Sequence, residues 1–190
     1  MSEAERVRDA LLQAYGGGSR GYHDLRHLAE VLERLDELAE HGERFQPLPV
    51  QLAAWFHDAV YDARPGAEER SAGWACEALD GVVDRTVVAE VERLVLLTAD
   101  HLVQERDGNG AALCDADLAI LAAQHDRYAA YAADVRREYG HFTDDEFATG
   151  RAAVLHELGS RRPLFATAYG RAHWEPAALA NVTRELAELA

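Results

Sequence analysis

Between Tyr22 and about His41, Leu25, Leu28, Val31, Leu32, Leu35 and Leu38 recur every three or four residues, with Glu30, Glu33, Arg34 and Glu37 on the opposite side. That period is the pitch of an α-helix with one apolar face, and such a face requires other helices to cover it. The same spacing returns in Val7, Leu11, Leu12 and Tyr15, in Val88, Val91, Leu94, Val95 and Thr98, and in Leu179, Val182, Leu186 and Leu189. No stretch shows sustained period-two alternation, so the expected fold is an all-α bundle of about seven to nine helices.

Breakers and caps divide the chain. Gly16-Gly17-Gly18 closes a first helix over 3–15, and Gly42 closes the helix over 22–41. Pro47-Leu48-Pro49 opens a helix over 50–61, Arg64-Pro65-Gly66 interrupts, and Glu68-Glu69 starts a helix to Leu79. Asp84 is the expected N-cap of a helix over 85–101, and Asp107-Gly108-Asn109-Gly110 is the strongest turn signal. Ala111 to Tyr139 reads as one long helix. Thr143 with Glu146 forms a capping-box pattern for a helix to about Leu158, and Glu175-Pro176 starts the last helix. Residues 161–173 leave room for one short helix at most.

At 190 residues the chain suits one domain, with a core at about 20–125 and C-terminal helices at 143–190 packed on it. The net charge is −15, and all 19 basic residues are arginine. That balance argues against nucleic-acid binding through phosphate charge. A small polyphosphate stays compatible, because metal ions can supply positive charge locally. Cys76 and Cys114 lie in apolar surroundings without CxxC spacing and read as buried, reduced thiols. No basic region followed by an apolar core opens the sequence, and no run approaches the roughly 18 apolar residues of a membrane span, so a cytoplasmic protein without membrane attachment is expected.

The chemistry centres on Ala53 to Asp62, an apolar run that holds His57 and Asp58 side by side. A buried imidazole and carboxylate need partners, and a shared cation is the simplest one. His27 on the preceding helix and Asp115 or Asp117 on a later one can be brought to it by apolar packing. Two imidazoles with two carboxylates suit Mn²⁺, Fe²⁺, Zn²⁺, Co²⁺ or Ni²⁺, with Mg²⁺ also open, and not a thiolate zinc site. Asp62 follows Asp58 by four positions, which on a continuous helix puts it one turn along the same face as an acid/base candidate. Arginine offers phosphate a bidentate fork, which makes Arg26, beside His27, a candidate substrate contact, with Arg127, Arg151 and Arg161 as further candidates.

The series His, His-Asp, Asp, one group per helix, resembles the HD-domain superfamily of metal-dependent phosphohydrolases. The segments Tyr22 to His27, Phe56 to Asp62, Glu68 to Ala72 and Asp115 to Leu118 are similar to a bacterial group of predicted HD phosphohydrolases, and the likeness runs over nearly the whole chain. Ala67 departs from the Asn or Asp expected before the paired glutamates. The resemblance implies His27, His57, Asp58 and one of the two later aspartates as metal ligands. Superfamily motifs align best on Ala116-Asp117-Leu118, which selects Asp117 and leaves Asp115 as a cap or an outer partner. It also implies that one of Glu68 and Glu69 faces the site, with Glu69 chosen as the catalytic partner of Asp62, and that His101 and His23 contact substrate.

The resulting expectation is hydrolysis of a small phosphoester, a nucleotide or related compound, assisted by a divalent cation. Two alternatives compete with it. An HD-type oxygenase with two irons would recruit His23 and His101, and a non-catalytic protein would keep the metal for stability.

Overall fold

A computed structural model describes residues 2–17, 20–62 and 64–190. Gly18, the last member of the first breaker, lies outside them. Among the described residues the chain is all-helical, without strands: α1 (Glu3–Tyr15), α2 (Leu25–Glu40), α3 (Pro47–Phe56), α4 (Ala67–Leu79), α5 (Arg85–Leu97), α6 (Gly108–Leu118), α7 (His125–Glu138), α8 (Asp144–Ser160) and α9 (Glu175–Glu188). A 3₁₀ turn spans Ala119–Ala122, and a π-turn spans Gly170–Trp174. No helix among them is long and apolar enough to cross a membrane.

Each helix begins where local chemistry permits. Ser2 and Glu5 close a capping box on α1, and Thr143 and Glu146 close the expected one on α8. Asp24 accepts from the N–H groups of Arg26 and His27, so α2 starts at Leu25 and His23 stands before it. Asp84 occupies the N-cap position of α5 but makes no side-chain cap bond.

The three helices that carry the site, α2, α3 and α6, pack on one another. α3 is also covered by α4 and α5, and Phe56, Ala53, Ala54 and Val50 on it are fully buried. Along α2 the stripe faces this core at Leu28, Val31, Leu35 and Leu38, whereas Leu25 is exposed. On α9 the buried side is Ala178, Asn181, Val182 and Glu185, which keeps Val182 of the expected stripe but turns from its leucines, because Asn181 and Glu185 find partners inside.

Three boundaries differ from the sequence reading. The expected helix over 111–139 is two helices, since Ala123 is extended and the Asn181 amide donates to the freed carbonyls of Leu121 and Ala123. α5 stops at Leu97, four residues before His101. α3 stops at Phe56 instead of Tyr61: the His57 ring turns back, its Nδ1 2.8 Å from the Ala54 carbonyl, and Asp58 falls in the following turn.

Candidate metal centre

The turn after α3 is held from three sides. Arg20 donates to the carbonyls of His23, Asp58 and Ala59 at 2.6, 2.7 and 2.8 Å. The Asp58 N–H donates to the Tyr15 hydroxyl at 3.3 Å, and the Val60 N–H donates to Ser71 Oγ at 3.0 Å. Ser71 lies inside the Glu68–Ala72 segment singled out in the sequence. Arg20 carried no sequence signal, because its three acceptors are backbone groups, two of them nearly forty residues away.

This clamp presents Asp58 to the two imidazoles. Asp58 Oδ2 is 3.3 Å from His27 Nε2 and 3.2 Å from His57 Nε2, and the two Nε2 atoms are 3.1 Å apart. From α6, Asp117 Oδ1 lies 3.2 Å from His27 Nε2 and 3.7 Å from His57 Nε2. His27, His57 and Asp117 each offer one atom within 4.8 Å of the others, the spacing a shared cation requires. Both imidazoles are 1% exposed, so neither can turn to water instead.

The tautomer suits metal binding. The Ala54 carbonyl accepts only a proton, so neutral His57 carries it on Nδ1 and turns its Nε2 lone pair inward. Burial opposes every charge in the cluster, but attraction between its members outweighs burial. The carboxylates hold His27 above, and His57 well above, the usual histidine range. Asp58 and Asp117 lie well below the usual carboxylate range for the reciprocal reason. Two lone-pair nitrogens and two carboxylates in one buried space fit a divalent cation of the borderline class.

Asp115 has a different task. Two positions from Asp117, it is 1% exposed and accepts from the N–H groups of Ala166 and Thr167 and from Thr167 Oγ1 at 2.7, 2.8 and 2.6 Å. It ties the segment after α8 to α6. Gly170 must be glycine here, since a Cβ would come within 2.6 Å of Asp115 Oδ2.

Above the cluster opens a cleft of about 550 Å³, with Asp58, Asp117, His23 and His101 among its lining residues. His101 reaches it from the segment after α5, where its backbone takes a left-handed φ of 54° and its Nε2 lies 2.8 Å from Asp117 Oδ2. A non-glycine residue pays about 1–2 kcal/mol for that conformation. His23 lines the other side, with Nδ1 2.7 Å from Glu138 Oε2. The second oxygen of Glu138 accepts the N–H groups of Gly21, Tyr22 and His23, each at 2.9 Å. Gly21 sits so close to the Asp134 carbonyl that any side chain would collide with it.

The remaining candidates are not brought to the cleft. Asp62 is exposed, paired with Arg70 at 2.6 Å, because α3 ends before the turn that would have aligned it with Asp58. Glu69 is also exposed, and Glu68 lines the cleft in its place. Arg26 points outward and pairs with Glu30. Cys114 is buried and Cys76 half-buried, and both are free thiols.

Behind the cluster a smaller cavity of about 110 Å³ is lined by His27, Asp117, Tyr22 and Arg127. Tyr22 Oη and Arg127 Nη1 are buried without a protein partner, and both residues face this space. The sequence reading offered Arg127 and Arg151 only as candidate phosphate contacts, and it missed Glu138 and Tyr131.

No family model, no curated protein and no solved structure matches this chain.

Proposed function

We propose that the chain is a metal-dependent phosphohydrolase acting on a small phosphorylated substrate. The observation that carries this reading is the convergence of His27, His57, Asp58 and Asp117, from α2, the end of α3 and α6, beneath an open cleft that Asp58 and Asp117 line. The order of these groups along the chain is also the one that the resemblance to the HD superfamily implies. The four side chains would hold one divalent cation from the set Mn²⁺, Fe²⁺, Zn²⁺, Co²⁺, Ni²⁺ and Mg²⁺. Bound there, the ion would lower the pKa of a water molecule and polarise a phosphoryl oxygen.

The chain's own residues supply the rest. His57, its Nδ1 proton fixed on the Ala54 carbonyl, keeps Nε2 directed at the centre. His101 braces the outer oxygen of Asp117, so both carboxylate oxygens have a set direction. His23 is the acid/base candidate: Glu138 fixes its Nδ1, its other ring nitrogen has no protein partner, and the residue lines the cleft. In hydrolysis, a water oxygen bonds to phosphorus, the ester P–O bond breaks, and the departing alkoxide takes up the proton that the water gives up, a transfer His23 is placed to relay. The two unpaired thiols support a cytoplasmic location in this proposal.

The test is phosphate release by purified, metal-loaded protein across a panel of phosphomonoesters, with His57→Ala as the control. Release by the wild type and its loss in the variant is the expected result. A folded, metal-loaded protein that releases nothing would leave a metal-stabilised binding protein. Two irons per chain with oxygen uptake would instead favour the oxygenase.

A further inference from the structure

The cleft above the metal centre has an aromatic wall and almost no free positive charge. Tyr61, Tyr131, Tyr139, Phe142 and Phe147 line it, and Phe142 at its edge leaves 42% of its surface in solvent. The Tyr61 ring lies 3.9 Å from that of His23, nearly parallel, so the flat surface continues to the candidate acid/base. Asp58, Glu68, Asp117 and Glu146 supply four carboxylates, and Arg151 is the sole arginine of the lining.

Arg151 is 9% exposed and already paired. Its Nε and Nη2 donate to the two Glu185 oxygens at 2.7 and 3.1 Å, and Nη2 also donates to the Tyr131 hydroxyl at 2.9 Å. Its charge is therefore compensated inside the fold. Nη1 makes no hydrogen bond among the described residues, and Arg151 is one of the residues that line the cleft. Tyr131 in turn packs edge-on against Tyr22, and Tyr22 against His27, both with ring centres 4.6 Å apart, which ties this donor to the metal centre.

A phosphate monoester carries a charge of about −1.5 to −2, which one divalent cation matches. Further phosphates would meet carboxylates. Arg44 and Arg106, whose side chains make no hydrogen bond or ion pair among the described residues, line a different cavity that His101 also borders. We propose that the cleft selects monophosphate esters of planar aromatic groups, with the ring on the tyrosine and phenylalanine wall and Arg151 Nη1 donating to a substrate oxygen. This rests on the metal-centre reading above and names its substrate class.

Calorimetry on the Mn²⁺-loaded full chain, with phenyl phosphate, glycerol 1-phosphate and fructose 1,6-bisphosphate as probes, tests the selection. Phenyl phosphate is expected to bind about tenfold more tightly than either of the others, the range of one aromatic contact. Phe147→Leu should reduce that preference by weakening phenyl phosphate more than glycerol 1-phosphate. Arg151→Met alone strands Glu185, so the paired variant Arg151→Met/Glu185→Met is the donor test, with both monoesters weakened about tenfold. Equal binding of phenyl phosphate and glycerol 1-phosphate overturns the proposal, as does a preference for the bisphosphate, and a folded paired variant that binds as the wild type does removes Arg151 from it. Phosphate release is read in the same mixtures. Preferential binding without release upholds the selection and sinks hydrolysis, whereas equal binding with release sinks the selection and leaves hydrolysis standing.

Discussion

Two buried polar clusters lie within one contact chain of each other, and they are built on opposite plans. In the C-terminal cluster, Arg151 and Glu185 neutralise each other, Tyr128 donates to Glu185 at 2.6 Å, and Tyr131 accepts from Arg151. In the α2, α3 and α6 cluster, two imidazole nitrogens are pressed to 3.1 Å beside two carboxylates, with no arginine among them. The first is a closed set of donors and acceptors that joins α7, α8 and α9. The second gathers two imidazole nitrogens and two carboxylates without an arginine to balance them, which suits a cation. Burial alone therefore does not separate a structural cluster from a functional one; the balance of donors and acceptors does.

The contrast breaks most sharply at Arg151. Arg151→Ala leaves Glu185 buried and unpaired and should cost about 3–5 kcal/mol in urea unfolding. Arg151→Met/Glu185→Met should cost less, because only the Tyr128 hydroxyl then loses its acceptor. If the single variant were as stable as the paired one, the C-terminal cluster would not be the closed set described.

Next in size is a pair of aspartates two residues apart. Asp115→Asn turns an amide N–H₂ toward backbone donors and should lower stability by about 1–3 kcal/mol without changing metal affinity. Asp117→Asn should do the reverse, with metal affinity falling and apo-protein stability nearly unchanged. Equilibrium dialysis with thermal melts distinguishes them, and exchanged phenotypes would exchange their roles.

Glu138 gives a pH signature. Burial disfavours its charge, but His23 and three backbone N–H groups outweigh burial and hold its pKa below the ordinary 4.5. A depressed carboxylate stabilises the fold fully above about pH 4.5 and loses that contribution as pH falls through its folded value. Between pH 6 and pH 3, Glu138→Gln should show a shallower stability decline than the wild type. Parallel declines would remove Glu138 from the acid response.

The smallest effect is expected at Tyr22, whose hydroxyl has no protein partner. Tyr22→Phe should change stability by less than about 1 kcal/mol, against the larger loss usual for a buried bonded hydroxyl. A larger loss would mean that the hydroxyl is bonded in the cavity behind His27.

How far the sequence reached follows the range of the interactions. Apolar stripes and caps are local, so the all-α class, the α8 capping box and most of the α2 face were legible. The α6–α7 break was not, because Asn181, about sixty residues away, stabilises it. At the site, His27, His57 and Asp58 were legible beside one of Asp115 and Asp117, since each stands among apolar residues that must pack, and the resemblance selected Asp117. Asp62 was misread through a local error, a helix extended five residues too far, and the alignment with Asp58 depended on that helix. Arg20 and Glu138 act largely through partners remote in sequence, and nothing near them marks them out.

The central claim is that His27, His57, Asp58 and Asp117 form one cation site. Thermal melts of chelator-treated protein, with and without one equivalent of Mn²⁺, test it most directly, because a ligand of the folded state alone raises the melting temperature by mass action. The account predicts a rise in the wild type and in Asp115→Asn, and none in His57→Ala or Asp117→Asn. A wild-type melting temperature that does not move with Mn²⁺, Zn²⁺ or Fe²⁺, or a rise that persists in His57→Ala and Asp117→Asn, would contradict it.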